Sequence, residues 1–545
     1  MLAAACVGVL LAAADTYVVV LALTDMMASV GIGVQALSRA TPIVSGFLLG
    51  YIALLPLVGR LADLADRRRV LVSCLWVFCV GSVVTALAVE LPVLVGGRFL
   101  QGVGGGGLVP ATMALVADLW PTQRRAVPLG VVGAVQELGA VAGPVLGAAV
   151  LAVSDWRAIF WTTAAAAGAL ALLLRALARA PRRGEWAPRA GEGTSRRRRV
   201  GSSVITVVLA TMGWLTLAAP ERLVTDVTWG VAFVPLVGGS RVLTPIGLAT
   251  LVALALLTAY RLVGWWEVLR VADLPSAALI ALALGSVVLT FATARPQLEV
   301  VGPRGLALLP VGALAAAGAV WRQRRTRDPL VPPALVRGRV AVACAVSLCV
   351  GIALVTVVVD VPVLARLTVS DSQTDAALVL VRFLAAVPVG ALAGGWLLRH
   401  AETRLVVPLG LALAGAALAA MAGWGRESLT GPTATPVLAA AGLGIGLTLA
   451  PVNAAALAEA RPTARGAAAA LVVVARMTGM VLGLAVLTAL GLRRYYEAVA
   501  ALPDPSAPTA LVDAAVVQVR TVFAGGSAAA LVGGALATRL GPGRR

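Results

Sequence analysis

Lysine is absent from this 545-residue chain, histidine occurs once, at His400, and only 13% of the residues are charged. Each shortage excludes something. Without lysine there can be no Gly-x4-Gly-Lys-[Ser/Thr] phosphate loop, so that route to ATP use is closed. One histidine and five cysteines (Cys6, Cys74, Cys79, Cys344, Cys349), with no Cys-x-x-Cys among them, leave a structural zinc site without ligands. The cysteines all fall in apolar stretches and read as packing residues. Ordinary soluble domains carry about 25% charged residues, so the low charge argues against a water-soluble enzyme. A 60% hydrophobic composition with a mean hydropathy of +0.95 argues equally against disorder. What remains is a polytopic membrane protein.

Its 44 basic residues, all arginine, outnumber 25 acids and give a net charge of +19. They sit in short breaks between apolar runs rather than along one face, so no nucleic-acid partner is expected. A hydrocarbon core takes roughly 20 apolar residues to cross. Such runs fall into three groups: six from Leu2–Leu23 to Phe160–Leu177, four from Val200–Ala219 to Gly305–Trp321, and six from Val340–Leu364 to Val522–Ala537. The pattern predicts about sixteen transmembrane helices. It divides the chain into an N-terminal six-helix bundle (1–182), cytoplasmic linkers with four additional helices (183–339) and a C-terminal six-helix bundle (340–545). The first run leads into Asp15-Thr16-Tyr17 and reads as a spanning helix rather than a cleavable leader. Arginines concentrate in alternate loops, including Arg182–Arg199 and Arg322–Arg339, which predicts a multi-pass protein of the cytoplasmic membrane with both termini inside.

Three stretches carry recognisable motifs. Gly59-Arg60-Leu61-Ala62-Asp63-Leu64-Ala65-Asp66-Arg67-Arg68-Arg69 lies between the second and third runs. Glycine there permits a tight exit from the helix, Asp63 can face the positive N-terminal end of a neighbouring helix, and Arg67 and Arg68 can bond backbone carbonyls and lipid headgroups. Leu94-x-x-x-Arg98-x-x-Gln101-Gly102-x-Gly104-Gly105 places an arginine inside the fourth run. Gly139-x-x-x-Gly143-Pro144-x-x-Gly147 in the fifth combines small residues, which admit a close neighbour, with a proline that bends the helix.

Together these resemble the loop, helix 4 and antiporter signatures of the major facilitator superfamily, with Leu64 and Asp66 departing from the usual basic residue and glycine. Asp155-Trp156-Arg157 before Phe160-Trp161 resembles the helix 5–6 turn of its fourteen-helix drug:proton antiporters. Asp15-Thr16-Tyr17-Val18-Val19, Gln136-Glu137-Leu138-Gly139 and Val472–Met480 are similar to the mycobacterial triacylglyceride exporters of that superfamily, which are linked to multidrug tolerance and encoded beside a lipid-carrying lipoprotein. The resemblance lapses over Gly184–Asp273, where two helices are inserted. It implies an all-α major facilitator fold of two six-helix bundles around a four-helix insert. It further implies export driven by a proton gradient without another cofactor. The expected partners are the bilayer, a lipophilic substrate and an extracytoplasmic lipid-carrier lipoprotein.

Charges at bilayer depth are expensive and functional by default. Six qualify, and they pair by depth. Glu137 and Arg476 each lie about 10–11 residues, roughly 15–16 Å, above the start of their helices. Asp15 and Arg98 both lie about 7–8 residues below the outer surface, in one bundle. Asp360 and Arg382 match at the outer third. Glu137 and Arg476 are therefore expected to bridge the bundles as a gate, with Glu137 also a proton-coupling candidate; the alternative is that the three pairs only satisfy each other and fix bundle packing. Asp15 is the first candidate for the proton carrier: an apolar surround favours its neutral form, a nearby guanidinium its charged form, so moving Arg98 would load or release a proton. Gln101, Gln136 and Asn453 offer hydrogen bonds or interhelical glue. Arg493-Arg494-Tyr495-Tyr496 can continue helix 11 outward, followed by a turn at Pro503, Pro505 and Pro508. With its charges partnered, the interior suits a bulky lipophilic cargo. The competing readings are a plain multidrug:proton antiporter without a lipid role and a polytopic lipid-modifying enzyme.

Overall fold

The computed structural model describes the chain except residues 32–36, 122–123, 179–210, 217–220, 226–229, 236–243, 264–267, 269–270, 293–302, 327–328, 370–372, 503–507 and 542–545. Among the described residues every element is helical, as a chain in hydrocarbon requires when each backbone polar group must be satisfied within its own segment. The N-terminal group comprises α1 (Leu2–Ser29), α2 (Leu37–Ala53) with its continuation α3 (Leu55–Leu64), α4 (Arg67–Leu87), α5 (Leu91–Leu119), α6 (Ala126–Leu151) and α7 (Trp156–Ala178). In the middle stand α8 (Pro245–Val263), α9 (Leu274–Ala292) and α10 (Pro303–Arg325). The C-terminal group is α11 (Gly338–Thr368), α12 (Gln373–Leu397), α13 (Thr403–Ala422), α14 (Ala434–Glu459), α15 (Arg465–Ala500) and α16 (Pro508–Ala537). Eleven helices among the described residues are long and apolar enough to cross a membrane. The all-helical expectation is borne out. Most of the run expected at Val200–Ala219, the basic break Arg182–Arg199 and the turn at Pro503 and Pro505 lie outside the described residues.

Local chemistry explains several boundaries. The break at Leu54 precedes Pro56, which has no N–H to continue the ladder of α2. Asp66 caps α4, its carboxylate accepting from the Arg68 backbone N–H at 2.9 Å. The side chain that replaces the usual loop glycine thus starts the next helix. At 36 residues, α15 is about 54 Å long, against a hydrocarbon core of roughly 30 Å. It continues unbroken through Arg493 and Arg494, which pair with Glu497 at 3.0 and 3.1 Å.

α1 to α7 close around buried Phe47, Phe78 and Phe160, and α11 to α16 around Phe383 and Phe523. The two bundles meet through α3 against α15 and α6 against α12 and α14. α9 lies along the seam between α2 and α15, with α10 behind it, and Leu49 fits against Gly285. α8 stands apart, packed on the Gly230–Phe233 turn and, through Thr250, on Thr216 at 2.9 Å.

Two close approaches need glycine. A Cβ on Gly59 would come within 2.6 Å of Ala470 Cβ and 2.7 Å of the Gly466 carbonyl, so this residue admits α15 rather than turning the chain; the helix runs five residues further. This corrects the expected role of Gly59 as a helix exit. In the Gly139–Gly147 stretch, Gly139 and Gly143 face the backbone of α1 at Leu10 and Ala14, one residue from Asp15. Gly147 is buried, and α6 passes through position 144 unbroken.

Substituting Gly143 with valine should therefore wedge α6 off α1 at a cost of about 1–3 kcal/mol. We expect a lowered thermal unfolding midpoint in detergent. A variant as stable as the parent would show that the seam is looser than described.

Candidate functional site

Within the N-terminal bundle, α1, α4 and α5 bring five polar side chains to one point. Arg98 Nη1 donates to Asp15 Oδ2 at 2.5 Å and to Gln101 Oε1 at 2.9 Å. Gln101 Nε2 donates in turn to Asp15 Oδ1 at 3.1 Å and to Ser82 Oγ at 2.8 Å, while Thr85 Oγ1, which donates to the Gly81 carbonyl at 2.8 Å, lies 3.2 Å from Gln101 Oε1. Asp15 is 2% and Arg98 1% exposed. The guanidinium carbon lies 4.5 Å from the Phe47 ring centroid and 5.7 Å from that of Phe160, so aromatic faces cover the charge. Gln101 proves to be the hub, touching both ions. Its position three residues after Arg98, one turn along the same helix face, was the signal available in the sequence.

Glu137 on α6 and Arg476 on α15 come from different bundles, and their side chains meet at 3.6 Å. That is an ion pair without a hydrogen bond. Arg476 Nε and Nη2 and Gln136 Oε1 have no hydrogen-bond partner among the described residues. The pair lines a cavity of about 60 Å³ together with Tyr51, Gln136, Phe47, Leu354 and Met480. The walls are predominantly apolar, and the volume is far below the roughly 300–1,000 Å³ of a pocket for a drug-sized ligand. A cargo of that size does not fit in this cavity as it stands.

At the end of the bundles that carries Arg67 to Arg69, a latch joins the two halves. Asp63 accepts from the backbone N–H groups of Gly466 (2.7 Å) and Ala467 (2.9 Å), the unsatisfied donors that begin α15. Arg67 holds Asp63 at 3.7 Å and Asp118 at 2.5 Å, and bonds the carbonyls of Ala62 and Ala114. From the other bundle, Arg465 reaches the Ala117 carbonyl at 3.2 Å and Asp118 at 3.8 Å. Asp118 and Arg465 were not singled out in the sequence, because an acid and a base at opposite helix ends 347 positions apart share no local pattern. Arg68 contributes only its backbone N–H, to Asp66.

The third expected pair does not form. Asp360 is 4% exposed, on a face of α11 turned into its own bundle, whereas Arg382 is exposed on α12 and donates to Thr435 Oγ1 at 3.3 Å. Equal depth places two residues at one height but leaves their azimuth around the helix axis free. Among the described residues Asp360 has no ion-pair or hydrogen-bond partner. No cluster of three His, Cys, Asp or Glu side chains that could hold a metal occurs among them.

A profile described as the Major Facilitator Superfamily matches residues 5–322. The chain is 36% identical over 548 residues to a triacylglyceride transporter of Mycolicibacterium hassiacum, covering 95% of this chain and 87% of that protein. It is 35% identical to a triacylglyceride transporter of Mycobacterium tuberculosis, covering 93% and 86%, and 34% identical to one of Mycobacteroides abscessus, covering 90% and 82%. Among solved structures, the human organic anion transporter MFSD10 aligns with a TM-score of 0.59 at 14% identity, covering 98% of both chains. The proton:xylose symporter XylE aligns at 0.54 and 13%, covering 97% of this chain and 94% of its own. These two share the fold.

The Asp15–Arg98 contact carries a direct prediction for stability. Arg98→Met should cost about 3–5 kcal/mol because it leaves a buried acid uncompensated, and Asp15→Leu combined with Arg98→Met should cost less than Arg98→Met alone. Unfolding midpoints of the purified variants test this. A double variant less stable than Arg98→Met would mean that the two charges are not coupled.

Proposed function

Since this chain belongs to the major facilitator superfamily, a family of multi-pass membrane transporters and not of enzymes, we propose that it is a proton-coupled exporter of lipophilic molecules, foremost a triacylglyceride-like lipid, working by alternating access at the cytoplasmic membrane with both termini inside. The carrying observation is the Glu137–Arg476 pair, which joins the two bundles across a cavity whose walls are otherwise mostly apolar. The curated mycobacterial relatives, named for triacylglyceride, support the lipid class over most of the chain.

In this reading the conformer described is shut at the arginine-rich, cytoplasmic end by the Asp63–α15 latch. A proton arriving at Asp15 neutralises the carboxylate and removes its attraction for Arg98. The freed guanidinium keeps Gln101 and the Phe47 face, so its loss of one partner is cushioned. Because Gly139 and Gly143 pack α6 directly on α1, a shift of α1 at Asp15 displaces the helix that carries Glu137. Neutralising Glu137 would then dissolve the bridge to Arg476 and let the bundles part. Lipid enters and leaves through the opened seam, and no covalent chemistry is involved.

The length of α15 supports a further part of the reading. Its final turns, with Arg493, Arg494 and Glu497, extend past the hydrocarbon and would form a platform where an extracytoplasmic lipoprotein receives the lipid. Plain multidrug:proton antiport differs by experiment rather than by geometry, since both cargos need the same dry interior.

The test is transport of fluorescent triacylglyceride and of a lipophilic dye in proteoliposomes with an imposed pH gradient. We expect gradient-dependent lipid export, reduced to the level of empty vesicles in Asp15→Asn and uncoupled from the gradient in Glu137→Gln, with both variants inserted normally. Wild-type rates in Asp15→Asn would remove that residue as proton carrier. Dye movement without lipid movement would replace the lipid reading by multidrug antiport.

A further inference from the structure

Arg476 is bordered on its own side by a second, smaller cavity of about 10 Å³, enclosed by α11, α14 and α15 and lined by Ser347, Thr448 and Asn453 with apolar neighbours. Its polarity is one-sided. Ser347 Oγ donates its hydrogen to the Val472 carbonyl at 2.9 Å, and Thr448 Oγ1 to the Ile445 carbonyl at 2.7 Å. Asn453 Nδ2 donates to the Leu449 carbonyl at 2.9 Å, which sets the amide so that Oδ1 is the free end. Each of the three has therefore committed a hydrogen to the backbone and offers the cavity an oxygen lone pair. Asn453 Oδ1 has no hydrogen-bond partner among the described residues, and neither have Arg476 Nε and Nη2. Asn453 is 6% and Arg476 5% exposed, so bulk water does not satisfy them. A pocket with three acceptor oxygens thus adjoins a guanidinium with donors to spare. A free metal cation is disfavoured there by the arginine's own charge.

We propose that the Ser347–Thr448–Asn453 pocket is a second dock for Arg476. While the arginine leans on Glu137, one buried water bridges Asn453 Oδ1 to its unused N–H groups. When the bridge to Glu137 opens, the guanidinium takes the place of that water. About 10–15 Å³ of probe-occupied volume is what a single water requires, and such a water needs 2–4 polar partners. An arginine released into an apolar seam would otherwise stand as an unpaired buried charge, so the dock lowers the barrier to parting the bundles. Asn453 acts through Arg476 and is a positioning residue.

The inference rests on the reading that Glu137–Arg476 opens during transport. Its test uses the full-length protein in proteoliposomes with three readouts: turnover, KM for the lipid, and spin-label distances between the two bundles. Asn453→Leu keeps the volume and removes the acceptor; it should lower turnover by about tenfold or more with KM unchanged, and shift the distance distribution toward the bridged state. Asn453→Ser, which restores an oxygen, should recover most of the rate. Thr448→Val, a milder change, should slow turnover by a smaller factor and provides the measurement if Asn453→Leu does not fold. Wild-type turnover and distances in both Asn453→Leu and Thr448→Val, with Glu137→Gln impaired, would overturn the dock and leave the bridge standing. Wild-type transport by Glu137→Gln would remove the bridge itself.

Discussion

An arginine between two helical bundles cannot discharge itself. Its guanidinium stays protonated at any accessible pH, and separating it from its counter-charge in a medium of low dielectric costs several kcal/mol. Arg476 therefore has to be satisfied in every conformation the protein visits. In the conformer described, it has one loose contact at 3.6 Å with Glu137 and three unused donor hydrogens on Nε and Nη2. A charge held that weakly at a bundle interface suits a contact meant to be released. The contrast with Arg98 is instructive. That residue, at comparable burial, has a short contact to Asp15, a second bond to Gln101 and two aromatic faces. One arginine is embedded in a network, the other poised beside alternatives.

The remaining architecture brings these charges to the required positions. Glycines 139 and 143 allow α6 to lie directly on α1, so Asp15 and Glu137 sit on two helices packed backbone to backbone. At the arginine-rich end, Gly59 and Gly466 bring α3 and α15 together closely enough for Asp63 to cap the first donors of α15. The same helix, α15, thus carries the latch at its start, Arg476 about a third of the way along and the extension past Arg493 at its end. Any tilt of α15 moves all three together. α9 lies along the α2–α15 seam, where the two bundles adjoin.

Much of this was legible in the residues. Run lengths near twenty gave the helices, alternate arginine-rich breaks gave the expected orientation, and the Gly59–Arg69, Leu94–Gly105 and Gly139–Gly147 stretches marked the segments that meet. Depth arithmetic found Asp15 with Arg98 and Glu137 with Arg476, because ions in hydrocarbon must be near a partner and few candidates share a height. The same arithmetic joined Asp360 to Arg382, and there it misled. Rise per residue sets height, but which way a side chain points depends on how its helix is rotated against its neighbours. Gly59 was read as a turn residue for a similar reason: a glycine near a helix end does not reveal that another backbone presses on it.

The amino-acid sequence alone determined that the chain is helical and membrane-embedded, and that its few interior charges demand partners. Those conclusions follow from hydropathy, chain geometry and the cost of an isolated ion, none of which needs a fold. Tertiary structure alone decided which side chains complete each cluster. Gln101 became a hub, Asp118 and Arg465 joined the latch, and Ser347, Thr448 and Asn453 came to line one cavity with Arg476. These groupings depend on helix rotation and on contacts between segments hundreds of residues apart. Such contacts arise from the packing of whole helix faces, and no local pattern encodes them.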